Sequence, residues 1–279
     1  MASALAAPLP YQRPSLRSCC SAAAFSGNRK RPAIARRQGK VAAASGGAAA
    51  TALASQLEAD LHALMAQGKE LEKEELDQRV QEIKARSAEA GTNQVFGELN
   101  QGTFEALPLS GRLKQVTGPA APLLLGGLTF GAGKPADLKL GFRPPAPYNQ
   151  RRLREGVPTY SVTTAFAVEE HEGLEGSCEV AGAYTVDDGN PQRLHISFSE
   201  VTLTPRVAAA AALARWVELF SAANDEGTID AATGMVRLRL AAPLPAWLDF
   251  VVMTEEWQLA RSNWGSYVLL LRRDDPDAA

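Results

Sequence analysis

Three histidines, three cysteines and a scatter of carboxylates are all this chain offers for nucleophilic, acid–base or metal chemistry. His62, His171 and His195 each lack a Ser or Cys in a nucleophile motif, and Gly-x-Ser-x-Gly does not occur. Cys19, Cys20 and Cys178 show neither a disulfide framework nor metal-ligand spacing. Residues 126–134 resemble a phosphate-binding loop only superficially. A P-loop needs Gly five positions before Gly133 and Ser or Thr after Lys134; the chain has Leu128 and Pro135 there, so a Gly-rich connection between strands is expected. Glu169, Glu170, Glu172 and Glu175 surround His171 as a solvated acidic hairpin loop. Asp187 and Asp188 begin the turn Asp187-Asp188-Gly189-Asn190-Pro191. His195 alternates out of phase with Leu194 and Ile196, which predicts a solvated strand histidine. These patterns predict a non-enzymatic protein without a metal or cofactor. The remaining dense cluster is Arg151, Arg152 and Arg154 in Asn149-Gln150-Arg151-Arg152-Leu153-Arg154. It reads either as a contact patch for anionic headgroups or an acidic partner, or as a solvated loop.

The elements that must position such residues fall into four zones. The 279 residues carry a formal net charge of −2, with 46% hydrophobic and 22% charged residues, an ordinary globular composition. The near-balance conceals an asymmetry. Every charged residue among the first 50 is basic: Arg13, Arg17, Arg29, Lys30, Arg31, Arg36, Arg37 and Lys40, with Glu58 the first acid. Ser- and Ala-rich, Arg-rich and acid-free, this leader carries an organelle transit signature. Val41-Ala42-Ala43-Ala44 looks like an algal chloroplast cleavage site, so residues 1–43 are expected to be a disordered chloroplast transit peptide. The acidic remainder argues against nucleic-acid binding. No stretch of about 18 apolar residues occurs, so no transmembrane helix is expected.

Residues 52–90 form an amphipathic helical arm. Leu57, Leu61, Leu64 and Met65, then Leu76, Val80 and Ile83, recur at helical spacing, with Gly68 separating two helices. The stripe suits packing on the following domain or docking a partner. Residues 94–273 change to period two. Tyr160, Val162, Thr164, Phe166 and Val168 share one strand face, and Cys178, Val180, Gly182 and Tyr184 another. Leu194, Ile196 and Phe198 fall out of phase with Val201 and Leu203, predicting a bulge. Separate strands are expected at 236–240 and 247–253, and the last at 267–271. An Ala-rich helix over 207–222 is placed to plug or cover one barrel end. An acidic disordered tail is expected at 274–279.

The segment from Ala246 to Leu270 resembles the end of the plastid lipid-associated protein family, the plastid fibrillins. Trp247-Leu248-Asp249 matches a Trp-Leu-Asp-like element, Glu255-Glu256 stands for Asp-Glu, and Arg261 and Gly265 match the closing hairpin, with Ser262 where Gly is typical. Pro191-Gln192-Arg193-Leu194-His195-Ile196-Ser197-Phe198 is similar to the family's Pro-x-Arg-Val-x-Val-x-Phe strand. Departures lie upstream: Phe104 or Leu113 stands where a lipocalin-like start carries Trp. The resemblance implies a mainly β fold, a lipocalin-like antiparallel β-barrel with an N-terminal helical arm and one inserted helix. It further implies a lipid or prenylquinone ligand and a place in the chloroplast at stroma, thylakoid or plastoglobule. Trp247, Trp257, Trp264, Tyr160 and Phe166 become candidate lipid contacts. Asp249, Arg261 and Gly265 become structural motif residues, with Asp249 and Arg261 set to pair across the sheet. A scaffold whose arm binds a chloroplast partner, its barrel filled by its own side chains, is the alternative.

Overall fold

A computed structural model describes residues 47–67, 71–90, 101–109, 123–221, 228–254, 256–263 and 265–273. The expected transit peptide, Gly68 and the acidic tail lie outside these residues. Four helices, α1 (Gly47–Gln67), α2 (Lys73–Ala90), α3 (Leu125–Leu128) and α4 (Ala210–Ser221), accompany ten strands. The strands are β1 (Gly102–Pro108), β2 (Leu123–Leu124), β3 (Lys139–Phe142), β4 (Tyr148–Arg154), β5 (Val157–Val168), β6 (Glu175–Val186), β7 (Arg193–Pro205), β8 (Val236–Met253), β9 (Trp257–Ser262) and β10 (Tyr267–Arg273).

Eight strands close an antiparallel barrel in the order β5-β4-β1-β10-β9-β8-β7-β6, with β6 returning to β5. The mainly β, lipocalin-like expectation therefore holds. β3 and β4 pair with different stretches of β5, at Phe166–Val168 and Val157–Thr163 respectively. Pro144, Pro145 and Pro147 lie between them and supply no N–H for a ladder, so the strand is broken there. The period-two faces read from sequence point inward: Tyr160, Phe166, Val168, Cys178, Val180, Leu194, Ile196, Phe198, Val201 and Leu203 all belong to the barrel core. The expected phase change is present, as a register shift between Phe198 and Glu200. A second shift in β6 falls at Ala181/Gly182, where a Cβ on Gly182 would collide with the Ser197 carbonyl. β8 corrects the two-strand expectation. It runs unbroken through Pro243 and Pro245, and its pairing with β7 skips from Arg239 to Leu244, leaving Ala241, Ala242 and Pro243 exposed in an excursion.

One end of the barrel is plugged. α4 buries Trp216 and Phe220 in the barrel core. Trp216 stacks on Phe166 at 6.0 Å, and its Nε1–H donates to the Gly234 carbonyl at 2.8 Å. The arm covers the outer wall. Leu57, Leu61, Leu64, Leu76, Val80 and Ile83 are buried against Trp257, Leu259, Tyr267, Leu269 and Val252. Each such side chain contributes roughly 1.5–3 kcal/mol. The arm's apolar stripe is therefore spent on the chain's own barrel, the first of the two expected uses.

Candidate functional site

The end opposite the plug is built differently. Here β1 starts and β10 ends, and the β4–β5, β6–β7 and β8–β9 turns gather. Arg151 pairs in register with Tyr160 and lies two residues from Asn149, the partner of the buried Phe104. Alternation along β4 therefore turns Arg151 inward and Arg152 outward. Arg151 is 0% exposed. Its guanidinium lies 4.3 Å from the ring centre of Phe104 and 5.3 Å from that of Phe250. Nη2 donates to Gln258 Oε1, while Nε and Nη1 of Arg151 and Nε2 of Gln258 are buried without a hydrogen-bond partner.

Charge sharpens the picture. No Asp or Glu is buried among the described residues. Burial lowers the Arg151 pKa from 12.5 to about 10, against an opposing influence from Tyr160 and Tyr184, with a further lowering from Arg272. The arginine thus remains a cation at neutral pH. Tyr160 and Tyr184 are pushed above the ordinary tyrosine range by burial, so their hydroxyls keep their protons. Arg272 sits at the rim, 4.8 Å from the centre of the same Phe104 ring, with Nη1 donating to the Gln101 carbonyl at 3.1 Å.

A cleft of about 880 Å³ opens at this end, lined by Gln101–Thr103, Arg151–Leu153, Glu256 and Leu271–Arg273. Leu153, 57% exposed, is part of this lining, and Val157 and Val186 are exposed at the same end of the barrel, next to the β4–β5 and β6–β7 turns. The mouth therefore combines two leucines with a largely basic, polar lining, and its deepest member, Arg151, carries unspent hydrogen-bond donors.

No protein-family model matches this chain, and no curated protein or solved structure matches it either. The site has to be read from its own geometry.

The sequence-derived candidates scatter. Tyr160 and Phe166 line the interior, Tyr160 beside Arg151 and Phe166 at the plugged end. Trp257 faces the arm instead, 4.9 Å from the ring of His62. Trp247 is on the outer face, with the Arg193 guanidinium 4.7 Å from its ring centre. Trp264 lies outside the described residues. Asp249 and Arg261 are register partners, as expected, but both Asp249 oxygens accept from Arg193, at 2.6 and 2.8 Å. The pairing across the sheet is thus with β7 and not with Arg261, whose guanidinium lies 5.9 Å from the Tyr267 ring. Gly265 occupies a left-handed turn position, φ 73°, and its N–H donates to the Ser262 carbonyl.

The basic patch also divides. Arg151 is removed from the surface, half-buried Arg152 points outward, and exposed Arg154 pairs with Glu179. The loop reading fails because all three are in β4, held by register pairs to β5. Phe104, Tyr184, Phe250, Gln258 and Arg272 were missed as site residues. The available signal was alternation: on β9 Gln258 shares the inward face with Ala260, opposite Trp257 and Leu259.

Elsewhere the expected local chemistry is structural. Thr129 Oγ1 accepts from the Gly133 N–H and donates to the Leu125 carbonyl, both at 2.8 Å, closing the Gly-rich connection on itself. His195 is exposed, its Nε2 2.7 Å from Asp187 Oδ2. Burial pushes the Cys178 thiol up and leaves it protonated. Among the described residues no cluster of His, Cys, Asp or Glu has metal-binding geometry, and no helix is long and apolar enough to cross a membrane.

Proposed function

We propose that this protein is a non-enzymatic lipid-binding protein of the plastid lipid-associated type, taking a lipid or prenylquinone at the open mouth of its barrel. The observation that carries this reading is the mouth itself. Exposed Leu153 and the partly buried Leu271 line a cleft that also reaches the buried Arg151, whose unpaired donors lie beside the buried Gln258. A concave site that joins apolar side chains to a few buried polar groups is the ordinary anatomy of a small-molecule site. The resemblance of residues 246–270 to the plastid fibrillins supports the same reading. So does the basic, acid-free leader, which makes the chloroplast stroma, a thylakoid surface or a plastoglobule the proposed location.

The scaffold reading keeps one supporting observation: the helix-plugged half of the barrel is filled by Phe166, Trp216 and Phe220. A partner would then engage the polar face of the arm, because its apolar stripe is buried.

Native mass spectrometry of the purified chain after incubation with plastid lipids and prenylquinones tests the proposal. Retention of a stoichiometric lipid supports it. A folded protein that emerges free of every lipid sinks it and turns attention to partners of the arm.

A further inference from the structure

We infer that the barrel mouth selects lipids with a single carboxylate headgroup, seated on Arg151. The inference rests on the lipid-binding reading above and names the chemical class of the ligand.

The argument begins with what the interior lacks. Arg151 is a fully buried cation whose neighbours are aromatic rings and the neutral oxygen of Gln258. Aromatic faces attract a cation but supply no acceptor for its N–H groups. A buried guanidinium ordinarily has a carboxylate opposite it, because a charge taken out of water without a partner is strongly disfavoured. Here the described chain buries no carboxylate. The unspent atoms are all donors: Arg151 Nε and Nη1 and Gln258 Nε2. Tyr160 and Tyr184, which share electrostatic contact with Arg151, keep hydroxyl protons that add to the donor side.

Unsatisfied donors on Arg151 and the adjacent Gln258, with one buried positive charge, specify the missing partner. A quinone or ester carbonyl supplies acceptors and leaves the charge unbalanced. A carboxylate supplies two acceptor oxygens and one negative charge together, and charge-assisted hydrogen bonds of this kind are the stronger class. A phosphate monoester brings more charge than the one guanidinium buried in the barrel balances, and Arg272 at the rim already donates to the Gln101 carbonyl. The acyl chain leaves over Leu153, the exposed apolar residue of the cleft lining, so only the headgroup has to reach Arg151. Arg272, also close to the Phe104 ring, adds positive field at the rim.

The test compares oleate, methyl oleate and plastoquinone binding to the full chain by titration calorimetry, for the wild type and for Arg151→Met. Oleate is expected to bind the wild type at least about tenfold more tightly than methyl oleate, and Arg151→Met to abolish most of that preference. Equal affinity for oleate and methyl oleate, or a preference that survives Arg151→Met, overturns the carboxylate assignment. Methyl oleate or plastoquinone binding would then still uphold the lipid-binding reading. If none of the three binds, both fall together. Should Arg151→Met not fold, ¹³C NMR of carboxyl-labelled oleate on the wild type decides. A bound carboxylate held by Arg151 stays ionised to lower pH than in free micelles, and an unchanged titration overturns the inference.

Discussion

Gly176 on β6 lies directly beneath the indole of Trp216, so close that a Cβ at position 176 would overlap the ring and also press on the Thr204 carbonyl. The plug helix can seat Trp216 against Phe166 only because that strand position has no side chain. Gly176→Ala is therefore expected to destabilise the fold by about 1–3 kcal/mol through overpacking. Gly127, whose Cβ would meet nothing, serves as the control, with Gly127→Ala within about 0.5 kcal/mol of wild type. Chemical denaturation of both variants checks the contrast.

Arg151 should make the ligand-free protein less stable than it need be. Its folded pKa is depressed to about 10 from 12.5, chiefly by desolvation, so folding disfavours the charged form. The penalty is full below about pH 10 and shrinks as pH rises from there towards 12.5. Arg151→Met is expected to stabilise the free protein at neutral pH by about 1–3 kcal/mol, with the gain narrowing above pH 10. Thermal melts at pH 7 and pH 11 measure both. A destabilised Arg151→Met at pH 7 would mean that the aromatic contacts outweigh the desolvation.

The arm should be inseparable from the barrel wall. Ile83 is 0% exposed within the cluster that includes Trp257 and Leu269. Ile83→Ala is expected to cost about 2–4 kcal/mol and to shift Trp257 emission to the red as the packing around it loosens. Denaturation followed by Trp fluorescence and by far-ultraviolet circular dichroism should give coincident transitions in the wild type. A separate early loss of helix would show the arm to be an independent unit.

The β6–β7 turn carries an acid-sensitive cap. Asp187 is held below the usual carboxylate range, first by its hydrogen bond with His195 and then by the N–H groups of Gly189 and Asn190. A depressed carboxylate stabilises above its unfolded pKa, near 3.8, and that contribution fades as pH falls through the lower folded value. The stability difference between wild type and Asp187→Ala should thus be full at pH 5 and vanish in strong acid, as a pH series of urea melts would show.

Much of the barrel was legible because its strands alternate cleanly. β5 and β7 alternate in period two, β5 with Thr164 as the one polar member of its Tyr160–Val168 face, and a single break of phase between Phe198 and Val201 is enough to place a bulge. Turn residues with fixed conformational demands, such as Asp187 to Asn190 and Gly265, were equally readable. The site was not. Asn149-Gln150-Arg151-Arg152 has low strand propensity and reads as solvated loop. It is a strand because β1 and β5 flank it and aromatic rings from β1 and β8 enclose the arginine. Trp257 failed for a related reason: alternation in β9 marks two faces, and only the arm's position decides which one meets lipid and which one meets helix. Asp249 drew its partner from β7, because a strand interior to a sheet has two neighbours and sequence proximity favours the wrong one.

The seam between β1 and β10 joins Thr103 to Arg273, and the arm rests on β8, β9 and β10. Both contacts need β9 and β10, which follow the other eight strands in chain order. While the chain is being synthesised, the apolar stripe of α1 and α2 has no wall to lie on until the segment from Trp257 onward has emerged. The barrel cannot close before the same moment. Folding is thereby deferred until β10 has emerged, and a polypeptide stopped short of β10 is left with an open sheet edge and a bare helical face, both of which invite association with other chains.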